Sequence, residues 1–361
     1  EFRRVLFRSD NSMQNGISIY AGLDYDSEEN LSLIETAADM GFKRLFTSAQ
    51  IPELSNAEAF QEDLADILAT ATLNGFEIIL DVNADNFSEY DIDGLTLRLD
   101  DGFTTQQISE ISHARKIMLN ASTITEEFLN DLLGLGANFD NIAALHNFYP
   151  HSCTGLDTYF FDNQNRILHD FGIQVGAFAP SKDGKRRLPF REGLPTLEDC
   201  RNFSTDLSAR FLAALDTDFI IIGDGQPTQD ELQALAAIQD NEVILQAQLL
   251  SNDLTTAEIL SNHFTRRADV AKSVIRAAEG RHFLKAINGS IPQESHLTLE
   301  RSFGDITVDN DGFGRYAGEV QIVQDILPAD ERVNIAAHLL EEEIFLMGYI
   351  KPRQKFSFKF V

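Results

Sequence analysis

Eight short β-rich runs, separated by stretches with helical spacing, fill the chain from Ile17 to Asp224 and constrain its fold more than any other feature. The runs are ISIYAGL (17–23), KRLFTSA (43–49), FEIILDVN (76–83), LTLRLD (95–100), KIMLNAS (116–122), NIAALHNF (141–148), IQVGAFA (173–179) and DFIIIGD (218–224). Helix signals lie between them. Ser27-Glu28-Glu29 opens one helix, closed by Gly41, and a second runs from about Ala57 to Leu73 before Gly75. Thr125 caps a third, Pro195-Thr196-Leu197-Glu198 opens a long one through Leu215, and Thr228 opens another. Nearly continuous apolar strands alternating with helices imply parallel strands covered on both faces. Eight such units in about 225 residues match a (β/α)8, or TIM, barrel in number and length. A doubly wound sheet is the alternative, but no GxGxxG follows the first strand.

Near residue 240 the rhythm changes. EVILQAQ (242–248), GDITVDN (304–310), YAGEVQIV (316–323) and KFSFKF (355–360) read as strands without regular helices between them. Asn288-Gly289, Asp311-Gly312 and Lys351-Pro352 mark turns. Charge breaks at the same place: residues 1–240 hold 40 acidic and 16 basic side chains, residues 241–361 hold 17 and 13. The expected organisation is therefore α/β: a barrel over 13–240, then a smaller mainly-β domain over 241–361. Residues 1–12, which precede Met13 and share no pattern with the rest of the chain, are expected to be a non-native extension left by gene assembly.

A net charge of −28 argues against broad phosphate neutralisation, so no nucleic-acid partner is expected. No apolar run approaches the roughly 20 residues of a membrane span, so no membrane partner is expected either. Two cysteines, Cys153 and Cys200, are too few for a disulfide scaffold and fit a reducing cytoplasm. No HExxH, GxSxG or His/Cys cluster with ligand spacing occurs, so neither metal nor cofactor is expected. The oligomeric state is left open, a homodimer included.

A barrel of this kind carries its active site at the C-terminal ends of its strands. Those ends are polar here. They present Tyr20 and Asp24, Ser48 and Gln50, Asp81 and Asn83, Asp100 and Asp101, Asn120 and Ser122, His146-Asn147-Phe148-Tyr149, Glu192 in the loop after strand seven, and Asp224. Polar residues at strand ends also cap helices and make turns, and Asp24 and Asp224 fit that plainer role best. Asp, Asn, His and Glu converging from several strands are a stronger site signal than any one of them. The loop after strand seven also holds Lys182, Lys185, Arg186 and Arg187, four bases in an acidic half, which suits anion capture.

GISIY (16–20), LFTSAQIPE (45–53), LRLDDGF (97–103), LNASTIT (119–125), HNFYP (146–150), EGLPTLE (192–198) and GDITVDNDGFGRYAGE (304–319) occur in one order. Together they resemble the 6-phospho-N-acetylmuramidases, glycoside hydrolase family 170, over almost the whole chain after Met13. The resemblance implies a (β/α)8 barrel with a cyclophilin-like β domain. It also implies a cytoplasmic bacterial enzyme of cell-wall recycling that cleaves N-acetylmuramic acid 6-phosphate from N-acetylglucosamine in a phosphorylated disaccharide. Asp101, His151 and Leu188 depart from the family pattern.

A glycosidase needs an acid for the leaving oxygen and a carboxylate, or a neighbouring amide, at the oxocarbenium-like centre. Asp100 and Glu192 are the expected pair, by analogy with other barrel glycosidases, and Asp81 is the reserve. Arg187 and Arg315 are expected to bind the phosphate and the lactyl carboxylate. Arg315 would make the second domain a lid shaped by Asp305 and Asn310. Tyr20, Ser48, Asn120, His146, Asn147 and Tyr149 are expected to contact sugar. Two other functions remain open: a non-catalytic carbohydrate-binding barrel, and a phosphosugar aldolase or isomerase. The last is weakened because Lys43 and Lys116 sit at strand starts.

Overall fold

Eight parallel strands hydrogen-bond in chain order, and the first closes on the last. They are β1 (Gly16–Ser18), β2 (Arg44–Ser48), β3 (Glu77–Val82), β4 (Leu95–Leu99), β5 (Ile117–Asn120), β6 (Ile142–Leu145), β7 (Val175–Ala179) and β8 (Phe219–Ile222). The computed structural model describes residues 12–49 and 57–361. Gln50, and all of the stretch expected to be an extension except Ser12, lie outside the described residues.

The side-chain period of two along a strand decides what fills the barrel. Ser48, Asp81 and Arg98 are register partners across β2, β3 and β4, so they share the face on which Phe46 also lies, two residues before Ser48. Phe46 packs edge-on against Phe178 at 5.1 Å and Phe148 at 6.1 Å, and Phe148 meets Phe178 at 5.2 Å. Nearer the strand starts, the buried Arg44 guanidinium pairs with Glu77 at 3.0 Å and covers the Phe219 ring at 3.8 Å. Gly176 leaves room for that ring, since a Cβ there would stand 2.1 Å from Phe219. Aromatic packing thus fills the middle of the interior, between the Arg44–Glu77 pair near the strand starts and the polar layer at the strand ends.

The helices begin where their caps dictate. Asp26 accepts from the backbone N–H groups of Glu28 and Glu29 to start the helix Ser27–Asp39. Thr104 and Thr228 form reciprocal capping boxes with Gln107 and Glu231. The long helix expected through Leu215 is two pieces: a 3-10 turn over Glu198–Asn202 and an α-helix over Thr205–Ala214. Phe203 is extended and Ser204 caps Leu207, so the side-chain cap restarts the helix that the sequence pattern runs through. The helices Thr105–Ala114 and Thr158–Asp170 were not among those expected.

A second compact unit covers Asn241–Val361. Its single sheet holds β9 (Val243–Leu249), β10 (His263–Thr265), β11 (Val274–Arg276), β12 (Asp305–Asp309), β13 (Val320–Val323), β14 (Val333–Leu339) and β15 (Lys355–Phe360). The order is β10-β15-β9-β14-β12-β13-β11, antiparallel except where β15 meets β9. Phe264, Phe356 and Phe358 pack together in its core. Two short helices, Leu254–Leu260 and Gly280–Ala286, interrupt the strand pattern that the sequence suggests. The chain is therefore a TIM barrel followed by a mainly-β unit.

Candidate active site

Arg98, near the end of β4, points into the barrel and is 3% exposed. Its Nη1 donates to Asp81 Oδ1 at 2.7 Å and to Asp100 Oδ1 at 3.4 Å. Nη2 donates to Asn147 Oδ1 at 2.6 Å and, with Nε, to the Leu145 carbonyl at 3.2 and 3.3 Å. One guanidinium therefore gathers side chains from β3, the end of β4 and the end of β6. Its planar fork can hold a fixed geometry in a way that a lysine ammonium cannot. Asp81 and Asp100 share a single donor nitrogen, so their acceptor oxygens stand within two hydrogen-bond lengths of each other.

The two carboxyl groups differ in setting. The Asp81 side chain is 22% exposed and the Asp100 side chain 44%. Desolvation pushes the Asp81 pKa above the ordinary carboxylate value. The charge of Asp100 pushes the same way, and Arg98 opposes both. Asp81 thus favours a protonated form more than a free aspartate does, which is what a proton donor needs.

Glu192 is placed differently. Its Oε2 accepts from the backbone N–H and the hydroxyl of Ser152, both at 2.6 Å, and these bonds hold its pKa below the usual value. Ser152 lies in the loop after β6, which a second carboxylate also holds. Glu198 accepts from the N–H groups of Cys153 and Gly155 and from Arg201 Nε and Nη2, which lowers its pKa to about 2, the Arg201 bonds being the largest cause. Arg201, buried, also donates to the carbonyls of His151 and Gly193. The loops after β6 and β7 are therefore pinned together, with Glu192 on one side of the joint.

The basic loop after β7 is built on two acids. Asp224 accepts from the N–H groups of Ser181, Arg187 and Leu194. Glu231 accepts from the N–H groups of Lys182, Asp183 and Thr228 and from the hydroxyls of Ser181 and Thr205. Lys185 and Arg191 both pair with Asp24, and Arg186 donates to the carbonyls of Ser181 and Arg201. Arg187 is buried, with its guanidinium 4.7 Å from the Tyr20 ring and 5.9 Å from that of Phe148. Tyr20 is itself fully buried and donates to the Gly223 carbonyl at 2.6 Å. Cation and rings stand together at the ends of β1, β6 and β7.

The other expected residues divide. Ser48, buried, shares the interior layer with Asp81 and Arg98, and Asn147 bonds Arg98 directly. Asn120 ends β5 and caps its own turn through the Ser122 N–H. Tyr149 is half-buried, with its N–H bonded to the Pro195 carbonyl. His146 faces the other way. It is fully buried, with Nε2 on Asn165, Nδ1 on Ser122 and its ring 4.6 Å from Phe161, and burial lowers its pKa to about 4. It belongs to the wall between strand and helix. In the second unit, Asp305 accepts from the Ser302 N–H and meets His338 Nδ1 at 2.7 Å. Asn310 bonds the Glu331 carbonyl, Asn334 and the Gly312 N–H. Arg315 is exposed and donates to the Tyr316 hydroxyl at 2.7 Å. Arg98, Ser152, Glu198 and Arg201 were not expected. The signal for Arg98 was a lone arginine within an apolar parallel strand, where an unpaired charge is not tolerated.

The family model described as "6-phospho-N-acetylmuramidase, N-terminal" matches residues 15–237, and that described as "6-phospho-N-acetylmuramidase, C-terminal" matches residues 243–359. The chain belongs to the 6-phospho-N-acetylmuramidase family. Two solved structures resemble this family member along nearly its whole length. One is of an uncharacterized protein from B. cereus, 29% identical, with a TM-score of 0.82 and coverage of 96% of this chain and 99% of that one. The other is of a conserved Enterococcus faecalis protein of unknown function, 30% identical, with a TM-score of 0.65 and coverage of 96% of both chains. No curated protein matches the chain. Among the described residues of this 6-phospho-N-acetylmuramidase family member, no helix is long and apolar enough to cross a membrane.

Proposed function

We propose that the chain is a cytoplasmic glycosidase that hydrolyses the bond joining N-acetylmuramic acid 6-phosphate to N-acetylglucosamine, as a step of bacterial cell-wall recycling. The family match supports this substrate class. The observation that carries the chemistry is the pair of aspartates, Asp81 and Asp100, held on one buried arginine at the strand ends.

In this reading Asp81 is the acid, because burial raises its pKa above that of a free aspartate. As the bond from the sugar C1 to that oxygen breaks, the proton passes from Asp81 to N-acetylglucosamine. Asp100 meets the positive charge at C1, either by attacking it or by orienting the substrate's own N-acetyl oxygen to do so. Water then attacks C1, the bond from C1 to the Asp100 or N-acetyl oxygen breaks, and the proton of the water returns to Asp81. Glu192, tied to Ser152 with a lowered pKa, suits the shaping of the pocket better than proton donation. Arg187 is the cation proposed for the phosphate or the lactyl carboxylate, since a buried guanidinium backed by aromatic rings offers charge-assisted donors in a fixed direction.

The test is incubation of the purified chain with the 6-phosphorylated disaccharide, followed by chromatography for free N-acetylglucosamine. Release that is abolished in Asp81→Asn and Asp100→Asn supports the reading. Binding of the disaccharide with no release would point instead to a carbohydrate-binding barrel.

A further inference from the structure

We infer that Arg98 is a positioning residue that fixes Asp81 and Asp100 at the close spacing of a retaining glycosidase. The inference rests on the hydrolase reading above and deepens it. The geometry has three parts. First, the shared Nη1 holds the two carboxyl groups together at the ends of adjacent strands, against the repulsion that arises once Asp81 has given up its proton. Second, the remaining donors are committed to the Leu145 carbonyl and Asn147, so the guanidinium cannot rotate away. Third, Arg98 is almost wholly shielded from water, where a fixed charge acts strongly.

The spacing has a stereochemical consequence. An inverting glycosidase needs its carboxyl groups roughly 6.5–9.5 Å apart, to leave room for water on the far side of the sugar, whereas a retaining one holds them about 5–5.5 Å apart. Bonds of 2.7 and 3.4 Å to one nitrogen keep those two oxygens within about 6 Å of each other, short of the inverting range. Retention also follows if the N-acetyl oxygen attacks C1 while Asp100 orients it. Either way C1 is displaced twice, first by the internal nucleophile and then by water, and the configuration is restored.

Removing Arg98 should act through both aspartates. The guanidinium opposes the upward shift of Asp81, so its loss raises that pKa further. The alkaline limb of the pH–activity profile, where the acid loses its proton, should then move to higher pH. Among the described residues, the charged groups that shift Asp81 are Arg98 and Asp100.

The experiment compares wild type, Arg98→Met and Arg98→Lys on the phosphorylated disaccharide, with circular dichroism as a check on folding. Calorimetric binding of N-acetylmuramic acid 6-phosphate serves as a readout independent of turnover. Proton NMR of the first-formed product anomer in wild type should show the configuration of the bond that was broken. Arg98→Met should fold and bind the product within a few-fold of wild type. It should lose kcat at least a hundredfold, with its alkaline limb displaced upward, and Arg98→Lys should recover part of the loss. Inverted product would overturn the spacing claim. An Arg98→Met protein with wild-type kcat and pH profile, or one that loses product binding and fold together, would overturn the positioning role. If wild type releases no N-acetylglucosamine, the hydrolase reading itself fails, whatever the variants do, and the inference falls with it.

Discussion

Asp81 and Glu192 show how the same functional group is given two characters by its neighbours. Asp81 sits where desolvation and Asp100 favour its neutral form, while Glu192 receives two short hydrogen bonds from Ser152 that favour its anion. Both are legible in the sequence, Asp81 as a strand-end acid and Glu192 as an acid of the loop after β7, but their characters are not, because Arg98 and Ser152 reach them only through the fold. Asp81→Asn should therefore lower kcat on the disaccharide by roughly 10²–10⁴, the usual contribution of a positioned acid. Activity on an aryl glycoside, whose leaving group needs no proton, should fall far less. Equal losses on both substrates, measured as kcat, would remove Asp81 from the acid role. His146 teaches the converse. Its place in HNFYP suggested sugar recognition, yet the alternation of faces along β6 turns it toward Phe161 and Asn165. Neighbours in sequence point to opposite sides of a strand, and which side faces inward depends on register.

At the scale of elements, two carboxylate clamps hold the loops around the barrel mouth. Glu198→Ala would leave the buried Arg201 without its carboxylate and free the N–H groups of Cys153 and Gly155. Breaking a fully buried pair costs about 3–5 kcal/mol, and the 32% exposure of the Glu198 side chain places this one toward the lower end of that range. Urea denaturation should show a loss of that order, and a loss below about 1 kcal/mol, the level of an exposed pair, would contradict the clamp. The second unit has its own titrating element. Asp309, on β12, is raised to about 7, mainly by burial, with Glu319 and Asp330 reinforcing the shift and Arg301 and Arg332 opposing it. A carboxyl group raised on folding stabilises the fold when protonated. That contribution is complete below its unfolded value, near pH 4, and is lost as pH rises through about 7. Thermal unfolding should thus show the wild-type Tm falling relative to Asp309→Asn between pH 5 and 8. A constant difference across that range would contradict the shift. Element types were legible where periodicity was strong: all eight barrel strands, the helix Ala57–Leu73 and the strand Lys355–Phe360. The short strands β10 and β11 were not, since three residues carry too little pattern. The seven-residue β14 was also missed, although Val333, Ile335, Ala337 and Leu339 alternate there with Asn334 and His338.

For the whole molecule, the charge break near residue 240 coincides with the division between Asp240 and Asn241. The acidic share falls on the barrel, and the cations proposed for substrate are the places where that acidity is interrupted. A barrel in which a buried Arg187 stands against two aromatic rings is suited to a phosphorylated sugar. A single charge-assisted hydrogen bond is worth about 1.5–3 kcal/mol, or roughly 10–150-fold in affinity. Arg187→Met should raise KM for the phosphorylated disaccharide by that factor while leaving kcat within a few-fold. Steady-state kinetics would exclude the role if KM were unchanged. The family motifs made the fold legible, but the arrangement of Asp81, Asp100 and Asn147 around Arg98 depends on contacts across up to 49 residues of sequence. The most direct test of the account is kcat/KM for release of N-acetylglucosamine from the phosphorylated disaccharide and from the same disaccharide lacking the phosphate. The account predicts release from the first, at least tenfold faster than from the second. No release from either, or equal rates from both, would contradict it.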